Sequence, residues 1–534
     1  MAKHRKFWGW GFVEDDLTDS ERTALARNLA DRFGSREPLD VTAPPSLEEI
    51  RMSPSRVSPP AALRGLVTDD RFERASHAHG MSYRDVVLAY RRDFSSAPDW
   101  VALPRTEDHI RQLLEWCADA DLVAIPYGGG TSVVGGVEPP VDGGAGSISI
   151  DMRHFDQVVE VDRTSRAALI QAGATGPGLE AQLKPHAVTL RHFPQSFEMA
   201  TLGGWIVTRS GGHFATLYTH IDEFVEAVRM VTPAGVMETR RLPGSGAGPQ
   251  PERLVCGSEG VLGIVTQAWM RLQDRPTFRA NLSAEFVRFE DAVEACRAVS
   301  QSGLNPANCR LLNPEEALYN GAGDGSRTLL LIAFESADHP LETWIGRSAE
   351  LCRDHRGEVP DPPPGGSGEA GAREGSAGAW RDAFIKMPYR RDALAGMGVL
   401  SETFETACTW DRFERFHATV TRATRDAMDA VGARRGWISM RFTHVYPDGP
   451  APYYSVTGPA TRGEEIEQWQ AIKDAASEAI MREGGTITHH HAVGRDHSRW
   501  YREEAPALFL QTLRAAKSTL DPAGVLNRGV LFGS

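Results

Sequence analysis

Residues 126–132 read Pro-Tyr-Gly-Gly-Gly-Thr-Ser, and the reading of this stretch decides the fold. It follows a short apolar run, 122–125, that predicts the end of a buried strand. Glycine loses more conformational freedom on folding than any other residue, so three in succession are not there for stability. Gly128, Gly129 and Gly130 permit close approach of the backbone and a turn that aims several amide N–H groups at one point. Such a concave set of amides holds an anion, commonly a pyrophosphate. Thr131 and Ser132 add hydroxyl donors at the exit. An ordinary glycine turn is the alternative if the stretch is read alone. No Gly-Lys-Ser/Thr follows, so this is not a triphosphate loop, and the spacing does not match the Rossmann fingerprint.

Working outward strengthens the anion-site reading. Upstream, Trp100-Val101-Ala102-Leu103-Pro104 predicts a strand, and Ile110, Leu113, Leu114 and Cys117 share one face of a helix. The order strand, helix, strand, loop puts 126–132 at a strand exit, where ligands of α/β proteins gather. Downstream, strands are expected over 147–151 and 167–172, and a helix over 176–184 opened by Gly176-Pro177-Gly178. Residues 194–214 form a second stretch rich in Ser, Thr and Gly. It offers Gln195, Ser196, Thr201, Gly203, Gly204, Trp205, Thr208 and Ser210, with hydroxyls expected to point inward from loops. A third piece, Gly257-Ser258-Glu259-Gly260-Val261-Leu262-Gly263, precedes the strand Ile264-Val265-Thr266. A small substrate needs one such loop; three beside strands imply a long ligand threaded between them. Its expected contacts are Pro126, Tyr127, Gly128–Ser132, the second-stretch residues just named, and Glu259, Gly260, Leu262, Gly263, Ile264 and Val265.

The 534 residues, 41% hydrophobic and 24% charged, are enough for several cores and typical of a soluble globular chain. A formal net charge of −13 argues against nucleic acid as a partner. Six cysteines without a CxxC pair point to a reducing compartment, with neither a disulfide framework nor a zinc site. The basic, aromatic N-terminus (Lys3, His4, Arg5, Lys6, Phe7, Trp8, Trp10) has no signal-peptide core, and no apolar run is long enough to span a membrane. A cytoplasmic location is expected. These N-terminal residues suit a membrane surface, although we favour tryptophans packed onto the body. Residues 1–95 read as a helical N-terminal region without chemistry, broken by Pro44, Pro45, Pro54, Pro59 and Pro60. From 276 to 488, amphipathic helices (287–300, 341–355, 411–432, 463–482) alternate with strands such as 328–334, which reads as a second, α+β domain. Within it, the low-complexity run 360–379 cannot bury a core and reads either as a gating loop or as a solvated insertion.

Taken together, Pro-Tyr-Gly-Gly-Gly-Thr-Ser, Thr201-Leu202-Gly203-Gly204-Trp205 and Gly257–Gly263 resemble the FAD-binding domain of the vanillyl-alcohol oxidase superfamily of flavoproteins. Within it the chain is most similar to the alkyldihydroxyacetone-phosphate (alkylglycerone-phosphate) synthase family. Supporting pieces are Trp8-Gly9-Trp10-Gly11, Ala78-His79-Gly80, Asn308-Cys309-Arg310-Leu311, Arg391-Asp392, Ser401–Thr406 and Thr488–Gly494. The resemblance implies an α+β fold: a two-part FAD-binding domain over 96–275, a cap over 276–488, and a segment 489–534 returning the histidine run to the flavin. It implies an FAD-dependent transferase that exchanges the acyl chain of acyl-dihydroxyacetone phosphate for a long-chain alcohol, giving an ether-lipid precursor without net oxidation. In that family the flavin carries the three-carbon fragment between the two steps. Lipid substrates imply work at a membrane surface, and family habit implies a homodimer. Arg209-Ser210-Gly211-Gly212-His213 looks like the covalent flavin motif of some relatives, but there it occupies the first phosphate loop, held here by Gly128–Thr131. Non-covalent FAD is therefore expected, with His213 a pocket wall or structural residue.

The residues that could carry chemistry are few. His489-His490-His491 follows Gly484-Gly485 in a strand-like context, where alternate histidines would share a face. No third ligand is apparent, so no metal is expected; by resemblance the run lies at the flavin, and imidazoles suit proton relay. Arg310 and Arg391 match family arginines, Arg391 the one expected at the substrate phosphate, since guanidinium forks grip phosphate. Arg390 beside it is a competing candidate. Tyr453 matches the family's catalytic tyrosine, and Tyr454 would face the other side of the strand. The chain departs from the family pattern at Gln195-Ser196, where an acidic residue is usual, and in the less aromatic Tyr454-Ser455-Val456-Thr457-Gly458; both bear on chain preference. The competing reading is an FAD-dependent 2-hydroxy acid dehydrogenase or oxidase, with the histidines as base and Arg391 on a carboxylate. A third is an FAD-binding protein without catalysis, against which Tyr453, the histidines and both arginines stand.

Overall fold

Val67–Thr68 (β1), Trp100–Ala102 (β2), Leu122–Tyr127 (β3) and Gly146–Asp151 (β4) form the first sheet of the computed structural model, in the order β1-β2-β4-β3. The structure describes residues 3–140, 144–360 and 387–533. β2 and β3 both run parallel to β4, and Leu122, Val123, Ala124 and Ile125 are fully buried, as a strand covered on both faces requires. The connecting helix Glu107–Asp119 starts where Thr106 accepts the His109 N–H, and it buries Ile110, Leu113, Leu114 and Cys117 against that sheet. The C-terminal segment closes the far edge, with Ala124 donating to Val525 and accepting from Asn527.

Val158–Asp162 (β5), Ala167–Gln171 (β6), Val188–Thr189 (β7), Val225–Thr232 (β8), Gly235–Glu238 (β9), Ile264–Arg271 (β10) and Gln273–Asp274 (β11) follow. Five of them build an antiparallel sheet, β5-β6-β10-β8-β9, while β7 pairs with β11. Helix Leu202–Thr208 packs on this sheet, so Gly203–Thr208 stand on a helix, capped by Thr201, and not on the loops expected from sequence.

The third layer is a six-stranded antiparallel sheet from Phe278–Phe286 (β12), Asn308–Leu312 (β13), Thr328–Ser336 (β14), Val399–Glu405 (β15), Trp437–Val445 (β16) and Pro450–Pro459 (β17), ordered β12-β14-β13-β16-β17-β15. Helices Phe289–Gln301, Glu342–Asp354, Trp410–Ala430 and Glu465–Arg482 supply its apolar cover. Alternation divides β17: Tyr454 is buried in the core, while Tyr453, Ser455 and Thr457 face the cleft, and Val456 reaches both. The run 360–379, apart from Pro360, lies outside the described residues.

The N-terminus packs onto the body. Lys6, Phe7 and Trp10 are buried; Lys6 Nζ pairs with Asp16 at 3.0 Å and Asp392 at 3.2 Å. Arg5 donates to the Gly129 carbonyl at 2.6 Å, and Met81 N–H to Ser132 at 2.6 Å, so the N-terminal region braces the first glycine loop.

Candidate active site

One cleft walled by the third sheet gathers the three glycine stretches. Its wall includes Pro126, Gly128–Ser132, Gln195, Ser196, Thr201, Gly204, Trp205, Thr208, Ser210, Glu259 and Gly260. A Cβ at Gly129 would lie 2.0 Å from the Met199 carbonyl oxygen, and one at Gly128 2.2 Å from Thr201 Oγ1. The first and second loops touch backbone to backbone, and only glycine allows it. Gly130 adds a left-handed turn at φ 67°. Glu259 ties the third loop to the C-terminal segment: its carboxylate accepts the Val493 and Gly494 N–H groups at 2.8 and 2.7 Å. Burial pushes that carboxyl up to about 7. This glycine-lined cradle with hydroxyls at its rim fits the pyrophosphate of FAD. Gly129→Ala is expected to lower FAD affinity roughly 10- to 100-fold, the cost of forcing a methyl into a packed contact. Fluorimetric FAD titration of the apoprotein checks this, and wild-type affinity would refute the packing argument.

The cap sheet presents a polar face to the same cleft. Arg310 on β13, Ser401 and Thr403 on β15, Arg441 and Thr443 on β16 and Tyr453 on β17 line it. Arg441 and Glu405 are the cross-strand partners of Tyr453 on its two sides. A bulge between Phe442 and His444 turns His444 inward as well. Arg391, from the helix over 387–396, lines the cleft, whereas Arg390 is exposed; the geometry favours Arg391. The Nε of Arg391 is buried without a hydrogen-bond partner among the described residues. Burial, with Arg441 nearby, pushes the Arg310 guanidinium down to about 9. Burial raises the Tyr453 phenol, against the pull of Arg441.

The histidine run is not a strand. It is an irregular segment whose backbone N–H groups converge on Glu405, buried on β15: His489 donates at 2.6 Å, His490 at 3.1 Å and His491 at 2.8 Å, with the Thr488 hydroxyl at 2.6 Å. His490 and His491 reach the cleft; His489 stands behind them. Burial pushes all three rings, and His444, below the usual histidine range, His490 to about 3. Neutral rings form a chain: His490 Nδ1 meets His489 Nδ1 at 3.1 Å, and His489 Nε2 meets the Tyr446 hydroxyl at 2.6 Å. His444 supplies the third ring that sequence did not reveal, and ligand atoms of His444, His489 and His490 lie within 4.8 Å of one another. His444 and His489 each meet hydrogen-bond partners at both ring nitrogens, which suits a relay.

Several expected ligand contacts stand back from the cleft. Tyr127 lies beneath its loop, its hydroxyl donating to the Ser76 carbonyl. Gly203 lets the helix approach Ala172, and Gly263 lies against Met230. Leu262, Ile264 and Val265 are core residues at most 4% exposed. The ring of His213 lies against Phe193 and Phe214, off the cleft wall. Reading of the sequence missed Arg441, His444, Thr403, Glu405 as an anchor, and Trp10. Only the alternation Ser439, Arg441, Thr443 against Met440 and Phe442 carried a signal.

Residues 98–240 match the FAD binding domain family, and residues 275–531 the C-terminal domain of FAD linked oxidases. The chain is 30% identical over 514 residues to alkyldihydroxyacetonephosphate synthase of Dictyostelium discoideum, covering 92% of this chain and 83% of that one. It is 27% identical to the protein of the same name from Trypanosoma brucei brucei, over 87% and 78% of the two chains. A solved structure of an alkyldihydroxyacetonephosphate synthase superposes with a TM-score of 0.78 at 26% identity, covering 98% of both chains. With its glycine loops and cap sheet closing on one cleft, this chain belongs to the alkyldihydroxyacetonephosphate synthase family, FAD-dependent members of the vanillyl-alcohol oxidase superfamily.

Proposed function

We propose that this chain is an FAD-dependent transferase that replaces the acyl chain of acyl-dihydroxyacetone phosphate with a long-chain alcohol. The observation that carries this reading is a single cleft lined by the three glycine loops and by Tyr453, Arg310, Arg391, His490 and His491. Gly128–Ser132, Gln195, Ser196, Thr201, Gly204 and Glu259–Gly260 hold FAD non-covalently. Bound FAD supplies a reactive ring that lets the fatty acid leave before the alcohol arrives, with no net oxidation.

The protein's side chains do the rest. Arg391 grips the phosphate with its planar fork, and Arg310 adds positive charge deep in the cleft. Tyr453 takes a proton, at its hydroxyl oxygen, from the carbon that bears the ester and adjoins the ketone. The bond between that carbon and the ester oxygen breaks, and the acid departs as a carboxylate with both its oxygens. When the alcohol oxygen bonds to that carbon, its proton is passed on in concert along His490, His489, Tyr446 and the Thr219 hydroxyl, each ring giving up one proton as it takes another and staying neutral. Tyr453 then returns its proton to the same carbon, which closes the balance.

Acid denaturation is expected to release the yellow chromophore into the supernatant, and flavin retained on the polypeptide would overturn non-covalent binding. Incubation with acyl-dihydroxyacetone phosphate and labelled alcohol, without an electron acceptor, is expected to yield the ether and free fatty acid. Bleaching by a 2-hydroxy acid with no ether formed would instead support the dehydrogenase. Long-chain donor and acceptor support work by a cytoplasmic enzyme at a membrane surface. Family likeness supports a homodimer. Vesicle flotation and light scattering test these two readings.

A further inference from the structure

We propose that Arg441 is a positioning residue of this reaction, stacked on the ring of Tyr453 and tethered by Glu316 so that it favours the phenolate of that side chain. The inference rests on the reading of Tyr453 as the base. Arg441 and Tyr453 are cross-strand partners, and the guanidinium carbon stands 3.9 Å from the phenol ring centroid. Arg441 Nη1 donates to Glu316 at 2.6 Å, and both side chains are 1% exposed. The Ser439 hydroxyl donates to the other Glu316 oxygen at 2.5 Å. Glu316 is itself fixed, because Asn313 caps its helix and also accepts the Met440 N–H of β16. The guanidinium therefore has one place to stand, face-on to the ring.

The physical need is plain. A proton-abstracting phenol must ionise, and burial opposes that. The groups facing Tyr453 are Arg441 from β16, Thr403 and Glu405 from β15, Arg391 from the helix over 387–396, and His490 and His491 from the irregular segment. The two imidazoles are neutral there, and the Glu405 carboxylate opposes ionisation. The arginines favour it, and Arg441 is the one in ring contact. A phenolate spreads its charge into the ring, so a cation over the ring face stabilises it where a cation beside a neutral phenol gains less. Arginine suits the task better than lysine because it stacks as a plane and still keeps donors for Glu316.

The test is the pH dependence of kcat/KM in the holoenzyme, with acyl-dihydroxyacetone phosphate and labelled alcohol. Arg441→Met combined with Glu316→Gln removes both charges without stranding a buried carboxylate. The acid limb is expected to move up by about one pH unit, giving about tenfold less activity at pH 7 that recovers as the pH is raised. The flavin spectrum and melting temperature check the fold; should this pair fail to fold, Arg441→Lys, which keeps charge without the planar stack, is read in the same way. An unmoved acid limb overturns the proposal, since a pair that only fills space would change stability and leave the profile in place. Tyr453→Phe separates the two levels. Full activity there removes the reading of Tyr453 itself, while an inactive Tyr453→Phe with an unmoved Arg441 profile removes this inference alone.

Discussion

Tyr453→Phe is expected to keep its FAD and its fold and to lose about 10²- to 10⁴-fold in kcat, the usual worth of a positioned general base. The change deletes one hydroxyl and leaves the ring under Arg441, so packing in the cap sheet is preserved. The flavin loops lie across the cleft on other elements, so the absorption spectrum should not move. The alternative bases in the cleft are poor ones: burial holds His490 at about 3 and His491 and His489 well below their ordinary range, so none takes up a proton readily near neutrality. The burial-raised phenol sets the pH dependence. Activity should rise with pH as Tyr453 ionises, and the variant should lose that limb. Stopped assays with labelled alcohol from pH 6 to 10 decide it. Turnover within a few-fold of wild type would sink the base role and reopen the dehydrogenase reading.

What sequence could and could not reveal follows from how each residue acts. The first glycine loop was legible because its message is local: three glycines after a buried apolar run have few uses. The apolar run 262–265 misled for the same reason, since residues next to a ligand loop and residues of the core beneath it look alike in sequence. Tyr453, Arg310 and Arg391 stood out through family resemblance, while the strand period separated Tyr453 from Tyr454. The same period could have found Arg441, but the bulge after Phe442 puts His444 out of phase with it. Lys6 groups in sequence with the basic residues suited to a membrane surface, because Asp16 and Asp392, which neutralise it, converge only in the fold. The histidine run read as a strand because its true organiser, Glu405, binds main-chain amides, and side-chain patterns do not encode that.

Glu405→Ala follows from that last point and should be the most damaging change outside the reacting groups. The carboxylate is 2% exposed and accepts hydrogen bonds from Thr488, His489, His490 and His491. Alanine strands those donors in a buried site, at a cost of about 3–5 kcal/mol. It also frees the segment that holds His490 and His491 at the cleft, and a displacement of about 1 Å there costs roughly 100-fold in turnover. Glu405→Gln keeps one acceptor oxygen and should fall between wild type and alanine on both scales. Burial alone would raise the Glu405 pKa, but the hydrogen bonds it accepts from the histidine segment, among them the Thr488 hydroxyl and the His490 amide, outweigh it and hold the group below the ordinary carboxylate range. A carboxyl whose folded pKa is depressed contributes stability that is fully present above its unfolded value, about 4.3, and is lost as the pH falls through the folded one. The gap between wild type and Glu405→Ala should therefore be full at pH 7 and shrink below about pH 4. Urea unfolding at pH 7 and pH 3, with turnover measured at pH 7 on the same preparations, reads both effects. An alanine variant as stable and as active as wild type would mean that the histidine segment holds its place without Glu405.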